Sequence, residues 1–401
     1  MAPFQSFIFA RRTNFQSRKS NSEERYRFAE ERLVQWRGFS TALIRPRGFA
    51  VGPTTQQPRT CRLCNRQHNI PMTMYPADVL RHVVDVHCHP TESYVPPESM
   101  DRLGIRVCAM STHRDDQSRV CNLALKYPEK VIPCFGHHPW FCHHISLRAA
   151  PKREHYRSLF LREDQPAADS LAAFEELLPL LPEPLPLEDV LSGLRSNFMR
   201  FESTAALLGE VGLDRIYRVA YDYYASPRRL SPFTIPLDHQ LAILEAQIDL
   251  AVELGRSVSL HSVKCPQPTV TLLDNLKLKH GRNWSNIRID IHSCSVDPQV
   301  ISILQKKHPN VFMSVSTTIN GRSKNLKALI AACDPRRLLI ESDYPVIDGN
   351  LARCVEILDL VAETKGWTKE TEWLDEVEES HWGVVRRLEA NWNVFKGERG
   401  M

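Results

Sequence analysis

From residue 82 onward the chain alternates between short apolar runs and stretches with helical spacing. The runs lie at 83–88, 105–110, 131–136, 206–211, 256–261, 287–292, 311–316 and 337–342. Apolar residues on consecutive positions predict strands buried on both faces, as in a parallel sheet, rather than strands with one wet face. Helical patterns between most of them give a strand–helix rhythm. In the clearest, 239–254, Leu241, Leu244, Ile248 and Val252 form one apolar stripe, with Asp238 expected as N-cap and Gly255 as the stop. Eight such strands with helical crossovers predict a TIM (β/α)8 barrel. The stretch 351–395 reads as helices that complete its outer layer.

Polar residues cluster at the C-terminal ends of these runs, where a barrel carries its chemistry. His87 and His89 close the first run, Glu210 the fourth, His261 the fifth and His292 the sixth, and Asp343 follows the eighth. Alternation along a strand lets His87 and His89 face the same way. The glycines of Leu208-Gly209-Glu210-Val211-Gly212 permit close backbone approach beside a carboxylate that, if buried, must be paired or must ligate something. A structural ion pair is the plain alternative for Glu210, and a core role is the alternative for each histidine taken singly. Together, four histidines and two carboxylates make a ligand set for one or two divalent metals. Asp343, on the strand that neighbours the first in a closed barrel, is placed to orient a water and accept its proton.

Two connections are too long for simple loops. Residues 141–204 contain a proline- and leucine-rich stretch, and 215–236 contain Tyr217, Tyr221, Tyr223, Tyr224, Arg228 and Arg229. Both follow strand ends on the active face and are expected to form its rim. Leu177, Leu178, Leu180, Leu181 and Leu185 either pack onto the barrel or form a docking surface for a helical-repeat protein.

Charge divides the 401-residue chain: residues 1–66 carry +9 and the rest −5. Residues 1–75 therefore read as a basic extension, and 76–401 as the barrel with its two insertions. The first 22 residues resemble a mitochondrial presequence, with a solvated basic tail as the alternative. Cys61, Cys64 and His68 are half of a zinc knuckle or a chance spacing. Irregularly spaced cysteines and the lack of a secretory h-region favour a reducing compartment, cytoplasm or nucleus, with a mitochondrial address as the alternative. No apolar run approaches the roughly 20 residues needed to span a bilayer, so no membrane association is expected.

The motifs DVHCHPTES, FGHHPW, GEVGLD, SVSLH, RIDIH and LLIESDYP, in this order over about 82–395, resemble those of TatD-type metal-dependent hydrolases of the amidohydrolase superfamily. The insertions and extension look most like those of fungal relatives described as interacting with an anaphase-promoting-complex subunit. The resemblance implies a deoxyribonuclease that trims DNA ends with two divalent ions (Zn, Mn or Mg). By it, His87 and His89 bind the first ion, Glu210 bridges, His261 and His292 bind the second, and Asp343 serves the first ion and the water. His138, in Gly136-His137-His138-Pro139, is implied to line the substrate pocket. Two positions depart from the family. Val263 stands where an arginine is usual, leaving Lys264 as the nearest cation, and Ser293-Cys294-Ser295-Val296 replaces a Phe-Ser-Gly turn. Valine cannot make arginine's bidentate phosphate contacts. An amide, ester or lactone hydrolase, and an adaptor with weak catalysis, are therefore the alternatives.

Overall fold

Continuous runs of Val, Ile and Leu become eight strands joined in one all-parallel sheet, whose spatial order is their order in the chain. A computed structural model describes residues 75–162, 165–203 and 206–397. The basic extension, its presequence-like start and the Cys61, Cys64 and His68 spacing lie outside them. The strands are β1 (Val84–Cys88), β2 (Arg106–Met110), β3 (Val131–Phe135), β4 (Leu207–Asp214), β5 (Val258–Val263), β6 (Ile289–Ile291), β7 (Val311–Val315) and β8 (Leu338–Ile340). All eight correspond to the expected runs. Beyond β8 the chain meets β1: the Asp343 N–H donates to the His87 carbonyl at 3.0 Å, and the His89 N–H to the Tyr344 carbonyl at 3.2 Å. These bonds bring the eighth strand's polar end against the first strand's.

Two strands run further than the sequence pattern indicates. β4 continues through Asp214 because Gly212, Leu213 and Asp214 pair with His261, Ser262 and Val263. His261 therefore lies within β5 rather than at its end. Pairing is irregular between Leu208 and Val211 in β4 and between Asp85 and Cys88 in β1. Such irregularities re-aim side chains, and here they flank Glu210 and His87.

One apolar core lies between strands and helices. A second, with Val86, Met110, Leu207, Phe312 and Leu339, includes Trp392 and Phe395 of the closing helix Val384–Phe395. The Asn391 amide donates to the carbonyls of Pro335 and Leu338, and Ser257 Oγ to that of Phe395. These partners start or precede β8 and β5, so the helix plugs the end of the barrel opposite the polar strand ends.

The helix expected at 239–254 is Leu237–Leu254, capped by Gly255 in the left-handed region at φ 65°. Its N-cap is Pro236, not Asp238. Proline, without an N–H and fixed near helical φ, starts the helix, and Asp238 sits in its first turn paired with Arg162 at 2.6 Å. Within 141–204, Leu187–Arg200 is the ordinary crossover helix, with Val190, Leu194 and Phe198 buried. Added material includes helices Lys152–Phe160 and Ala168–Leu177. Leu177 and Leu181 are buried and Leu178 and Leu185 pack against the core, leaving only Leu180 of the five exposed. That favours packing over docking for this leucine cluster. No described helix is long and apolar enough to cross a membrane.

Candidate metal centre

Glu210 sits at the middle of the polar strand ends, buried, with one carboxylate oxygen toward each of two groups. Oε2 lies 3.1 Å from His89 Nε2 and 3.4 Å from His87 Nε2. Oε1 lies 2.7 Å from His261 Nδ1, 2.8 Å from His292 Nε2 and 3.1 Å from His138 Nε2. Asp343 Oδ1 completes the first group, 3.6 Å from His89 Nε2 and 3.8 Å from His87 Nε2. All six residues singled out as ligands thus converge, and His138 joins them. Lys264 does not: it is exposed just beyond β5, with φ 54°.

The spacing and charge of this cluster fit metal ions. Two ligands of a tetrahedral ion bound at about 2.0–2.1 Å stand roughly 3.3 Å apart. The paired imidazole nitrogens are 3.1 Å apart for His87 and His89, and 3.3 Å for His261 and His292. Burial would raise the Glu210 carboxyl, yet the imidazoles of His138, His292, His87 and His261 hold it well below its usual range. Burial would lower His89, but Glu210, Glu92 and Asp343 lift it to about 10; His292 is raised well above its ordinary value by Glu210 and Glu341. The carboxylates thus call for positive charge among the imidazoles, which a cation supplies as well as a proton does.

What stands behind each ring decides which nitrogen is free. His261 Nε2 lies 3.5 Å from Asp214 Oδ2, His292 Nδ1 3.6 Å from Glu341 Oε1, and His89 Nδ1 3.8 Å from Glu92 Oε1. His87 Nδ1 is 2.7 Å from Ser259 Oγ. Only Ser259 is within hydrogen-bond distance; the three carboxylates stand just beyond it, where their charge favours a proton on the far nitrogen and a lone pair toward the cluster, the side on which a metal-binding histidine offers its lone pair. His138 is the reverse. Its Nδ1 accepts the Trp140 N–H at 3.1 Å, so its proton sits on Nε2, facing Glu210. Burial lowers its pKa to about 4, keeping it a neutral donor. Geometry places His138 among the ligands, but its hydrogen bonding sets it apart.

Asp214, Glu341 and Ser259 were not singled out in the sequence, although Asp214 and Glu341 stand in the same motifs as Glu210 and Asp343. Burial would raise Asp214, but His261, the Trp140 indole N–H and the Ile216 N–H bring it down to about 2. Glu341 accepts from the Ser293 N–H at 2.7 Å and from Ser314 Oγ at 2.5 Å. Asp85 accepts the Ser342 N–H at 2.9 Å and the Asn350 amide at 3.1 Å, fixing the turn that carries Asp343. Asp343, Ser293 and Lys264, each just past a strand end, all have positive φ. A non-glycine residue there is strained, which is characteristic of functional sites.

The family model for TatD related DNase matches residues 84–387. Cut9-interacting protein scn1 of Schizosaccharomyces pombe is 30% identical over 326 residues, covering 72% of this chain and 94% of that protein. An uncharacterized deoxyribonuclease of Saccharomyces cerevisiae is 27% identical over 281 residues, 66% of this chain and 84% of its own. Two solved structures share the fold. An uncharacterized amidohydrolase from Saccharomyces cerevisiae has TM-score 0.52 at 13% identity, covering 78% of this chain and 99% of its own. A TatD family hydrolase from Entamoeba histolytica has TM-score 0.50 at 13% identity, covering 79% and 98%.

Proposed function

Because the chain belongs to the TatD-related DNase family, we propose that its barrel is a divalent-metal-dependent phosphodiesterase acting at the ends of DNA strands. The observation that carries this reading is a buried carboxylate offering one oxygen to each of two imidazole pairs whose nitrogens stand at ligand spacing. His87, His89 and Asp343 would hold one ion, His261 and His292 the other, with Glu210 between them. Two such ions would supply Lewis acidity and make water a competent nucleophile at neutral pH.

The chain's own residues do the rest. Asp343 accepts the proton of the attacking water, from a position set by Asp85 through the Ser342 N–H. His138, neutral and with its proton on Nε2, would turn that N–H from Glu210 to an oxygen of the substrate as negative charge grows there. Asp214, Glu341 and Ser259 keep the imidazole lone pairs aimed inward.

The test is an end-labelled single-stranded oligonucleotide incubated with the metal-loaded protein. Stepwise shortening from one end is expected, and it should stop in Asp343→Asn. Turnover of an ester, lactone or amide by a protein that leaves DNA intact would move the assignment to another hydrolase of the same barrel, an outcome that Val263 keeps in view.

A partner-binding role has separate support in the relative named as Cut9-interacting. Because Phe174 and Leu177 are fully buried, deleting 165–190 should cost folding. The exposed Leu180 is the cleaner probe: Leu180→Asp should weaken capture of a helical-repeat partner while hydrolysis persists. Unaltered capture would remove that leucine from the interface.

A further inference from the structure

We propose that the aromatic edge beside the second half of the metal centre, running from Trp140 to Tyr224, is a stacking platform for unpaired bases, with Arg228 taking the strand's phosphate. This rests on the nuclease reading above and names the surface by which a single-stranded end is held.

The platform begins at the centre itself. The Trp140 indole N–H donates to Asp214 Oδ2 at 2.7 Å, and its ring lies 4.8 Å from that of His138 and 6.3 Å from that of His261. Tyr217 stacks on Trp140 at 4.9 Å, nearly parallel. Tyr223 stands 6.4 Å from Trp140 and meets Tyr224 edge to face at 5.2 Å. The aromatic path thus leads from the histidines outward, within segments that leave β3 and β4 at the polar face.

Its outer end is exposed and yet fixed. Tyr224 is 66% exposed, so core packing does not account for its ring. Its hydroxyl is tied to His113 Nε2 at 3.0 Å, which holds the ring in place. Tyrosine presents a large flat face with little rotamer entropy to lose, and base–aromatic stacking tolerates any base. A base inside a duplex has both faces covered by its stacked neighbours, and only a terminal pair exposes one, so successive bases can stack here only from a single strand.

The adjacent cation is uncommitted. The Arg228 guanidinium lies 4.1 Å over the Tyr223 ring and forms no ion pair among the described residues. Its neighbour Arg229 lies 3.6 Å over Tyr221 but is spent on Glu176. A guanidinium stacked on a ring keeps its N–H edge free for a phosphate. Arg228 therefore supplies phosphate contact at the edge of a site in which Val263 cannot.

The experiment titrates the metal-loaded full chain with a fluorescent oligothymidylate whose phosphorothioate linkages resist cleavage, followed by anisotropy. The same strand made abasic, and the same strand annealed to its complement, are run in parallel. Wild type should prefer oligothymidylate to both. Tyr224→Ala should raise its Kd about tenfold and leave the abasic Kd in place, while Tyr224→Phe keeps most of the affinity. Arg228→Ala should lower the slope of log Kd against log salt by about 0.7. Equal wild-type affinity for the abasic strand, or a Tyr224→Ala Kd equal to wild type, would overturn the proposal. The nuclease reading is scored separately, on wild-type cleavage of an unmodified strand, so either can fail without the other.

Discussion

Asp343 and His138 stand in one polar cluster with different neighbours: Asp343 faces His87 and His89, and His138 faces Glu210. Asp343 stands at φ 46°, a conformation that Asp and Asn tolerate better than most residues. Asp343→Asn should therefore keep the turn and the fold, with an unchanged melting temperature for the metal-free protein. It should lower kcat by about 10² to 10⁴, the usual weight of a lost general base; full turnover would place the base elsewhere. His138→Ala should lower kcat by about 10² to 10³, as for a lost transition-state donor, while both metal equivalents stay bound. His261→Ala should lose metal. If His138→Ala loses metal too, the tautomer argument fails. That the six candidate ligands meet at one centre was legible in the sequence because each ends or follows an apolar run. The orientation of the His138 proton was not, because it depends on the Trp140 N–H behind the ring.

At the level of elements, the prolonged β4–β5 pair brings His261 up to Glu210. Gly212 pairs with His261 at φ 159°, and a Cβ there would collide with the His261 carbonyl. Gly212→Ala should push β5 away and reduce metal affinity more than stability, which metal titration beside urea unfolding would separate. The sequence indicated a tight approach at this glycine but not its partner, because strand register is a property of two chain segments at once.

The β3–β4 insertion and the helix Leu237–Leu254 beside it bring in a different pH dependence. Burial lowers the pKa of His143, His144, His155 and His239, and that of His144 falls to about 4. His155 and His239 donate to the carbonyls of His143 and Cys142 as neutral rings. Unfolded, each takes up a proton near pH 6.5. The unfolded state then binds more protons, so this contribution to stability is whole above that pH and lost as pH falls below it. The urea midpoint should drop between about pH 7.5 and pH 5, and drop less in the His155→Gln, His239→Gln double variant. Equal drops would acquit these histidines. Raised histidines at the metal centre act in the opposite sense, so the difference between the two proteins is the readout.

Across the whole barrel, the polar cluster and a second apolar core occupy opposite ends. Trp392, fully buried in the closing helix, fills the end away from the histidines. Trp392→Ala should cost about 3–5 kcal/mol of stability yet leave kcat near wild type well below the melting temperature; a large loss of kcat there would show that the two ends are coupled. The eight strands and their polar ends could be read from the sequence because a parallel barrel repeats one simple pattern. The insertion helices could not be placed, since their packing on the barrel is set by side chains such as Phe174 and Phe233 that meet only in three dimensions. Whether one buried glutamate joins two cations is tested most directly by crystallising the protein with Mn²⁺ and locating the ions by anomalous scattering. Two peaks flanking Glu210 are expected, one among His87, His89 and Asp343 and the other against His261 and His292. A single peak away from Glu210, or none at full metal loading, would contradict that arrangement.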